Sequence, residues 1–137
     1  MGGMAHDEGR LKVVYIEDNP ANLDLVARVL ESTGRYRVIG ALDGTTGLDA
    51  IAREKPALVL VDLDVPEING FEIARRLKSS PSPDLARTPI AVVTANIMAG
   101  ERQAALDAGC ASFIEKPFDI HEFRREVARI LSAAGHS

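Results

Sequence analysis

The chain has 137 residues and a mass of 14.7 kDa, a length that fits one domain and leaves no room for a second with its own core. Its 46% apolar and 26% charged residues exclude a disordered chain, a collagen-like chain and a disulfide scaffold. The longest apolar run, residues 57–61, is too short to span a bilayer, and a net charge of −4 provides no basic field for nucleic acid. We therefore expect neither a membrane protein nor a nucleic-acid-binding protein.

The two ends of the chain and its single cysteine say little about chemistry. Residues 1–10 contain no apolar stretch that could serve as a secretory signal, so we expect a flexible tail on a cytoplasmic protein. The folded domain is predicted over residues 11–134, with a second short tail at 135–137. Cys110 cannot form an internal disulfide, and its small neighbours favour a buried apolar role.

Apolar runs of strand length alternate with longer stretches of helical spacing along the whole chain. The predicted strands cover residues 11–16, 38–42, 58–61, 90–93 and 111–114. The first helix is predicted to begin with Asn19 as N-cap and Pro20 at its first position, and to stop at Gly34. The other helices are predicted over residues 45–53, 69–78, 98–108 and 119–133, the fourth capped by Gly109, with a long surface loop at 79–89. This alternation predicts an α/β domain with a parallel sheet.

Polar residues follow the predicted strands at their carboxyl ends, where ligands bind in open parallel sheets. They are Glu17 and Asp18 after the first strand, Asp62 and Asp64 after the third, Thr94 after the fourth and Lys116 after the fifth. Carboxylates gathered so closely repel one another, and a divalent cation would relieve the repulsion. Magnesium suits the oxygen ligands, while Lys116 and the Thr94 hydroxyl could bind an oxyanion. The set predicts phosphoryl transfer with a carboxylate nucleophile.

The same residues form four motifs that together resemble the receiver domain of two-component response regulators, over residues 12–131. The motifs are Glu17-Asp18, Asp62-Leu63-Asp64-Val65-Pro66 with Gly70, Thr94-Ala95 and Lys116-Pro117-Phe118. The resemblance implies a flavodoxin-like three-layer sandwich of five βα units, with a five-stranded parallel sheet in the order 2-1-3-4-5.

The resemblance also assigns roles at the site. It implies that Asp62 is the phosphoacceptor and that Mg²⁺ is held by Asp18, Asp62 and the main-chain carbonyl of Asp64, with Glu17 acting through water. Thr94 and Lys116 would contact the phosphoryl oxygens. Asp64 and Asn96 would flank the path of the hydrolytic water, so we expect them to set the lifetime of the acyl phosphate.

The family further implies a conformational switch. Phosphorylation would draw Thr94 toward the phosphoryl group, turn Phe113 inward and remodel the face formed by the fourth helix, the fifth strand and the fifth helix. Phenylalanine replaces the tyrosine common at this position, which removes a hydroxyl. A plain core role for Phe113 remains the alternative, since strand alternation could place an aromatic ring on either face.

Partners are predicted from the family and from the first helix. Asn22, Leu25 and Val29 point away from its core stripe, and we interpret them as a docking surface for a sensor histidine kinase or a phosphotransfer protein. Coverage by the fifth helix is the alternative. A downstream protein target is implied, and a phosphorylation-dependent homodimer is left open, as is the choice between a stand-alone regulator and part of a larger protein.

Two other functions fit parts of this pattern. Residues 58–65 also fit the nucleophile motif of haloacid-dehalogenase-like phosphatases, in which Asp64 would act as a general acid and base on external substrates. That family places its nucleophile near the start of the chain and its acidic metal pair after the lysine, which is the reverse of the order here. A receiver that only binds partners is disfavoured because the phosphoryl-site residues are all present. We expect a self-phosphorylating phosphoacceptor without external turnover.

Overall fold

The computed structural model describes residues 9–63, 65–95, 100–116 and 118–136. Within them the strands are β1 Leu11–Ile16, β2 Tyr36–Ala41, β3 Leu58–Asp62, β4 Ile90–Thr94 and β5 Ser112–Glu115. The helices are α1 Pro20–Glu31, α2 Gly44–Glu54, α3 Gly70–Lys78, α4 Glu101–Asp107 and α5 Ile120–Ala133, and a four-residue helix, Pro83–Ala86, lies between α3 and β4.

All strand pairs in the described residues are parallel, and the sheet has the order β2-β1-β3-β4-β5. This confirms the predicted flavodoxin-like fold. Since β1 and β3 are neighbours, and β4 and β5 follow on the other side of β3, the carboxyl ends of these four strands lie side by side at one edge of the sheet.

The sheet is buried on both faces, which explains why its strands are continuous apolar runs. Val13 and Tyr15 point to the face covered by α1 and α5, while Val14 and Ile16 point to the face covered by α2, α3 and α4. The α1–α5 layer contributes Val26, Leu30, Phe123, Val127, Ile130 and Leu131, and the opposite layer contributes Ala50, Ile51, Ile73, Ala74, Leu77 and Ala105.

Three of the predicted helix starts correspond to side-chain caps. The Asn19 side chain accepts hydrogen bonds from the backbone N–H groups of Ala21 at 2.9 Å and Asn22 at 3.2 Å, with Pro20 in the first turn. Asn69 and Asp119 cap α3 and α5 in the same way. These caps fix where each helix leaves the sheet edge.

Some predicted boundaries were wrong. The second strand begins at Tyr36, two residues earlier than predicted, because Tyr36 pairs with Leu11 and is buried. The segment 79–89 is not simply a surface loop: it contains the helix Pro83–Ala86, and Thr88 is buried with its hydroxyl bonded to the Asp84 carbonyl at 2.9 Å.

The fourth helix is described from Glu101 to Asp107, and the predicted residues 98 and 99 lie outside the described residues. It ends as predicted, with Gly109 at a φ of 96°. No helix in the described part of the chain has the length and apolar character needed to cross a membrane.

Candidate functional site

Glu17 directly follows β1 and is almost completely buried, with 1% of its surface exposed. Its backbone N–H donates to the Ala41 carbonyl at 2.9 Å, which extends the β1–β2 ladder by one residue. The described residues supply three donors to its carboxylate. Oε1 accepts from the Tyr15 hydroxyl at 3.1 Å and from the Lys116 ammonium at 2.8 Å, and Oε2 accepts from the Asn19 N–H at 3.2 Å. A buried carboxylate is tolerated here because it is well hydrogen-bonded.

Lys116 joins the carboxylates of two strands. Its ammonium lies 2.8 Å from Glu17 Oε1 and 2.8 Å from Asp62 Oδ2, at the ends of β1 and β3. The side chains of Lys116 and Asp62 are 19% and 13% exposed. The Lys116 backbone N–H donates to the Thr94 carbonyl at 2.8 Å, which holds the lysine at the end of β5. The parallel sheet thus brings together residues that are up to 99 positions apart in sequence.

The electrostatics of the site keep the lysine charged. Burial alone lowers the pKa of Lys116, but the hydrogen bonds and charges of Asp62 and Glu17 outweigh it and raise the pKa above its ordinary value. Burial, followed by the charge and hydrogen bond of Glu17, raises the pKa of Tyr15. Tyr15 therefore stays a neutral hydroxyl that donates to Glu17.

Thr94 is the last residue of β4 and is buried, with 1% of its surface exposed. Its strand neighbour Val93 lies opposite Asp62 in the β3–β4 register, and Thr94 itself lies opposite Glu115. Thr94 therefore ends its strand at the same sheet edge as Asp62 and Lys116. A buried hydroxyl in this position can donate to an anion bound at that edge.

The carboxylates predicted to hold the metal ion differ in exposure and in their contact with Lys116. Glu17 and Asp62 share the Lys116 ammonium, whereas Asp18 is exposed. Asp64 lies outside the described residues, as do Asn96 and Pro117. Among the residues that are described, no group of three or more histidine, cysteine, aspartate or glutamate side chains is gathered in a way that could hold a metal ion. The described core of the site is a lysine between two carboxylates.

The turn after β3 depends on Gly70, the glycine of the Asp62 motif. Its N–H donates to the Leu63 carbonyl at 3.4 Å. A Cβ atom at this position would lie 3.2 Å from Val61 Cγ1, 3.6 Å from Leu63 Cα and 3.7 Å from the Asp62 carbonyl oxygen. The missing side chain lets α3 begin directly against the strand that carries Asp62.

Phe113 on β5 is buried in the layer under α2, α3 and α4, with 8% of its surface exposed. The Arg102 guanidinium lies 5.2 Å from its ring centroid, a cation–π distance, and also pairs with Glu115 at 3.5 Å. A groove of about 580 Å³ runs over this surface between α4, β5 and α5. The ring is both part of the core and in contact with a surface side chain.

The predicted docking residues divide into two groups. Asn22 and Leu25 are exposed, Leu25 at 56%, and both line an apolar groove of about 280 Å³. Val29 instead packs against the α1–α5 layer, and its carbonyl accepts from the Arg124 guanidinium of α5 at 3.3 Å. The fifth helix therefore covers part of this surface. The other residues lining the groove are Tyr15, Val26, Lys116 and Phe118.

Tyr15 was not among the site residues predicted from the sequence. Its spacing from Glu17 could have indicated this role. Residues two apart on a strand point to the same side, so a tyrosine two residues before Glu17 can reach that carboxylate. Its apolar neighbours in 11–16 made it look like a core residue, which it also is.

Sequence and structure comparisons both relate this chain to receiver domains. The family model described as response regulator receiver domain matches residues 13–128. The polar-differentiation response regulator DivK of Brucella anthropi is 31% identical over 122 residues, which cover 89% of this chain and 97% of DivK. The receiver domain of sensor histidine kinase PA1611 from Pseudomonas aeruginosa, crystallised with a magnesium ion in its active site cleft, is similar in structure with a TM-score of 0.80, 29% identity and coverage of 90% and 98%. A CheY-like receiver domain from Methanospirillum hungatei has a TM-score of 0.84 at 23% identity, with coverage of 92% and 97%, and supports the fold alone.

Proposed function

Since this chain belongs to the response regulator receiver domain family, we propose that it accepts a phosphoryl group on Asp62 in two-component signalling. The observation that carries the proposal is the Lys116 ammonium, 2.8 Å from both Asp62 and the buried Glu17 at one sheet edge. A partly buried ammonium held between two carboxylates is poorly explained by stability, because desolvation offsets much of the attraction. It is well explained as a binding element for an incoming phosphoryl group. We take residues 11–134 as the receiver domain.

In the proposed reaction a carboxylate oxygen of Asp62 attacks the phosphorus of a phosphohistidine. The new P–O bond forms as the P–N bond breaks, the bonding electron pair goes to the imidazole nitrogen, and that nitrogen takes a proton from solvent. Lys116 would stabilise the charge on the phosphoryl oxygens, and the Thr94 hydroxyl would donate to one of them. The product is an acyl phosphate on Asp62.

The donor set fits magnesium, because it consists of carboxylate oxygens and carries more negative charge than Lys116 neutralises. We propose that Asp18, Asp62 and the Asp64 main-chain carbonyl hold the ion, with Glu17 acting through water. Bound magnesium would neutralise charge on the transferred phosphoryl group. The magnesium ion in the active site cleft of the PA1611 receiver domain supports this assignment.

Receiver domains interact with histidine kinases and with downstream targets, and members of the family are not usually classical enzymes. For this chain we propose phosphorylation and dephosphorylation of Asp62 without turnover of an external substrate, in the cytoplasm. Asp64 and Asn96 would set the phosphoryl lifetime, so exchange of either side chain should change the rate of dephosphorylation.

The proposed output surface is the face formed by α4, β5 and α5. Thr94 would move toward the phosphoryl group, and Phe113 on the adjacent strand would follow. The contacts that support this are the burial of Thr94 and the position of the Phe113 ring beneath Arg102, between the core and the groove on that face. The Arg102–Glu115 pair would have to rearrange when the ring moves.

The groove beside α1 supports docking of a helical partner, a histidine kinase or a phosphotransfer protein. Leu25 is exposed and the groove extends to Lys116, so a helix bound there would bring its phosphohistidine to the site edge. Leu25→Asp should slow phosphotransfer from the kinase and leave phosphorylation by acetyl phosphate unchanged. Leu106→Asp is the matched control, since Leu106 is 51% exposed on α4. Equal slowing with both donors would contradict the docking surface.

The function is tested by intact mass after incubation with acetyl phosphate, with and without magnesium. We expect one magnesium-dependent phosphoryl adduct on the wild-type protein and on Asp84→Ala, which removes an exposed carboxylate far from the site. Asp62→Ala should form none. Turnover of a generic phosphomonoester without an adduct would favour the phosphatase alternative, and neither result would favour a module that only binds partners.

A further inference from the structure

We propose that Tyr15 is a positioning residue for magnesium binding: its hydroxyl fixes the Glu17 carboxylate in the orientation that serves the ion. The inference rests on the proposed function, because it assigns a role to Glu17 in that same site. It assigns Tyr15 a contact with Glu17 and none with magnesium or with the phosphoryl group.

The hydrogen bonds to Glu17 hold both of its oxygens. Oε2 accepts a hydrogen bond from the Asn19 N–H at 3.2 Å, while Oε1 accepts from the Tyr15 hydroxyl at 3.1 Å and from the Lys116 ammonium at 2.8 Å. Two donors on one oxygen and one on the other define the plane of the carboxylate. Of the three, the Tyr15 hydroxyl and the Asn19 backbone belong to rigid parts of the fold, whereas the lysine has a long, flexible side chain.

The Tyr15 ring is itself immobilised. It is 1% exposed and packs in the layer between the sheet and helices α1 and α5, so the hydroxyl cannot turn away from Glu17. A tyrosine hydroxyl is protonated throughout the neutral range, so Tyr15 remains a hydrogen-bond donor to Glu17. Tyr15 thus provides a fixed donor to a carboxylate that solvent barely reaches.

The Tyr15 donor matters because Lys116 has two roles: it hydrogen-bonds to Glu17, and it is proposed to contact the phosphoryl oxygens. In the proposed reaction the ammonium turns toward the phosphoryl oxygens, and its hold on Glu17 weakens. With tyrosine at position 15, Oε1 keeps one donor when that happens. With phenylalanine at position 15, Lys116 would be the one donor to Oε1 among the described residues. Glu17 would then lose its orientation whenever the ammonium moved away. If the ammonium stayed, it would compete with the magnesium ion for the carboxylates. Both effects weaken magnesium binding.

The test compares Tyr15→Phe with Tyr36→Phe. Tyr36 is a second buried tyrosine in the same layer, but it pairs with Leu11 at the other end of β1. Magnesium affinity is measured on the full chain without a phosphodonor, by NMR titration of the backbone amides of residues 17–19. We expect Tyr15→Phe to weaken magnesium binding about tenfold, in the range typical of residues that orient metal ligands. Tyr36→Phe should bind magnesium like the wild-type protein.

Two further readouts separate positioning from a general structural effect. The magnesium concentration for half-maximal phosphorylation by acetyl phosphate should rise in Tyr15→Phe, while the rate at saturating magnesium stays near the wild-type rate. In a Glu17→Gln background, Tyr15→Phe should cause no further loss of magnesium affinity, because the carboxylate it orients is gone.

Unchanged magnesium affinity in Tyr15→Phe, or an equal loss in Tyr36→Phe, would overturn this inference and leave the proposed function intact. The same holds if Tyr15→Phe weakens binding just as much when Glu17 is already glutamine. If the wild-type protein bound no magnesium and formed no adduct, the proposed function would fail, and this inference would fail with it.

Discussion

The two ends of the sheet carry lysine–carboxylate ion pairs that differ in solvent exposure. At the amino-terminal end, Lys12 on β1 pairs with Glu54 of α2 at 3.2 Å, and their side chains are 40% and 20% exposed. At the carboxyl-terminal end, Lys116 pairs with Glu17 and Asp62 at 2.8 Å, and all three are largely buried. Exposed pairs contribute little to stability, while burial of charge is costly unless it is fully compensated. The same fold therefore leaves the Lys12–Glu54 pair partly exposed and buries the Lys116 cluster more deeply, at the end where phosphoryl chemistry is proposed.

The largest expected difference between the ends is in the rate of phosphorylation. Lys116→Met should slow adduct formation from acetyl phosphate about 100-fold at saturating magnesium, because it removes a charged donor to the transferred phosphoryl group. Lys12→Met should leave the rate unchanged. The measurement is a time course of intact mass, and equal rates in the two variants would break the comparison.

A smaller difference is expected in stability. Lys116→Met leaves the carboxylates of Glu17 and Asp62 without their shared cation and should lower the free energy of unfolding by about 2 kcal/mol. Lys12→Met should change it by less than about 0.5 kcal/mol. Urea unfolding at neutral pH measures both. Adding Asp62→Asn to Lys116→Met should restore part of the loss, and a further decrease would contradict the proposed repulsion between the two carboxylates.

The stability of the two lysine variants should also differ at alkaline pH. The pKa of Lys116 lies above its ordinary value of 10.5, so the folded state holds this proton more tightly than the unfolded chain. The resulting stabilisation is complete below pH 10.5 and is lost as the pH rises through the folded-state pKa. The raised pKa of Tyr15 acts in the same direction. Urea unfolding at pH values above 10.5 should therefore show a smaller decline for Lys116→Met than for Lys12→Met, and parallel declines would argue against the Lys116 ion pairs.

The smallest effect concerns Cys110, which precedes β5 at the amino-terminal end. Burial raises the pKa of its thiol to about 11, with Lys78 opposing the shift. This buried thiol is thus neutral, whereas the Lys116 ammonium at the other end stays charged. The thiol should react slowly with iodoacetamide at pH 8 and quickly once the chain is unfolded in urea. Rapid labelling of the folded protein would show that this end is more open than described.

The order of elements and the edge that carries the site were predictable from the sequence. Apolar runs and the Asn19 cap indicate where helices begin, and in a parallel sheet the residues that end the strands must meet. Glu17, Asp62, Thr94 and Lys116 were found in this way, although they are far apart in the chain. The strand order itself came from the family resemblance.

The details of the site could not be predicted, because they depend on packing across elements. Glu17 and Asp18 are adjacent and chemically alike, yet Glu17 is buried and Asp18 is exposed, since neighbours at a strand end point to opposite sides. The contact of Arg102 with Phe113 joins α4 to β5, and the Arg124 contact with Val29 joins α5 to α1. Such contacts follow from tertiary distances that no sequence pattern specifies.

The most direct test of the central claim identifies the phosphorylated residue. The protein is phosphorylated with acetyl phosphate and magnesium and then treated with borohydride, which reduces an acyl phosphate to the alcohol and so converts aspartate to homoserine. Peptide mass spectrometry then locates the change. We expect homoserine at position 62 and unmodified aspartate at positions 18 and 64. Homoserine at position 64, or at any aspartate other than Asp62, would contradict this assignment.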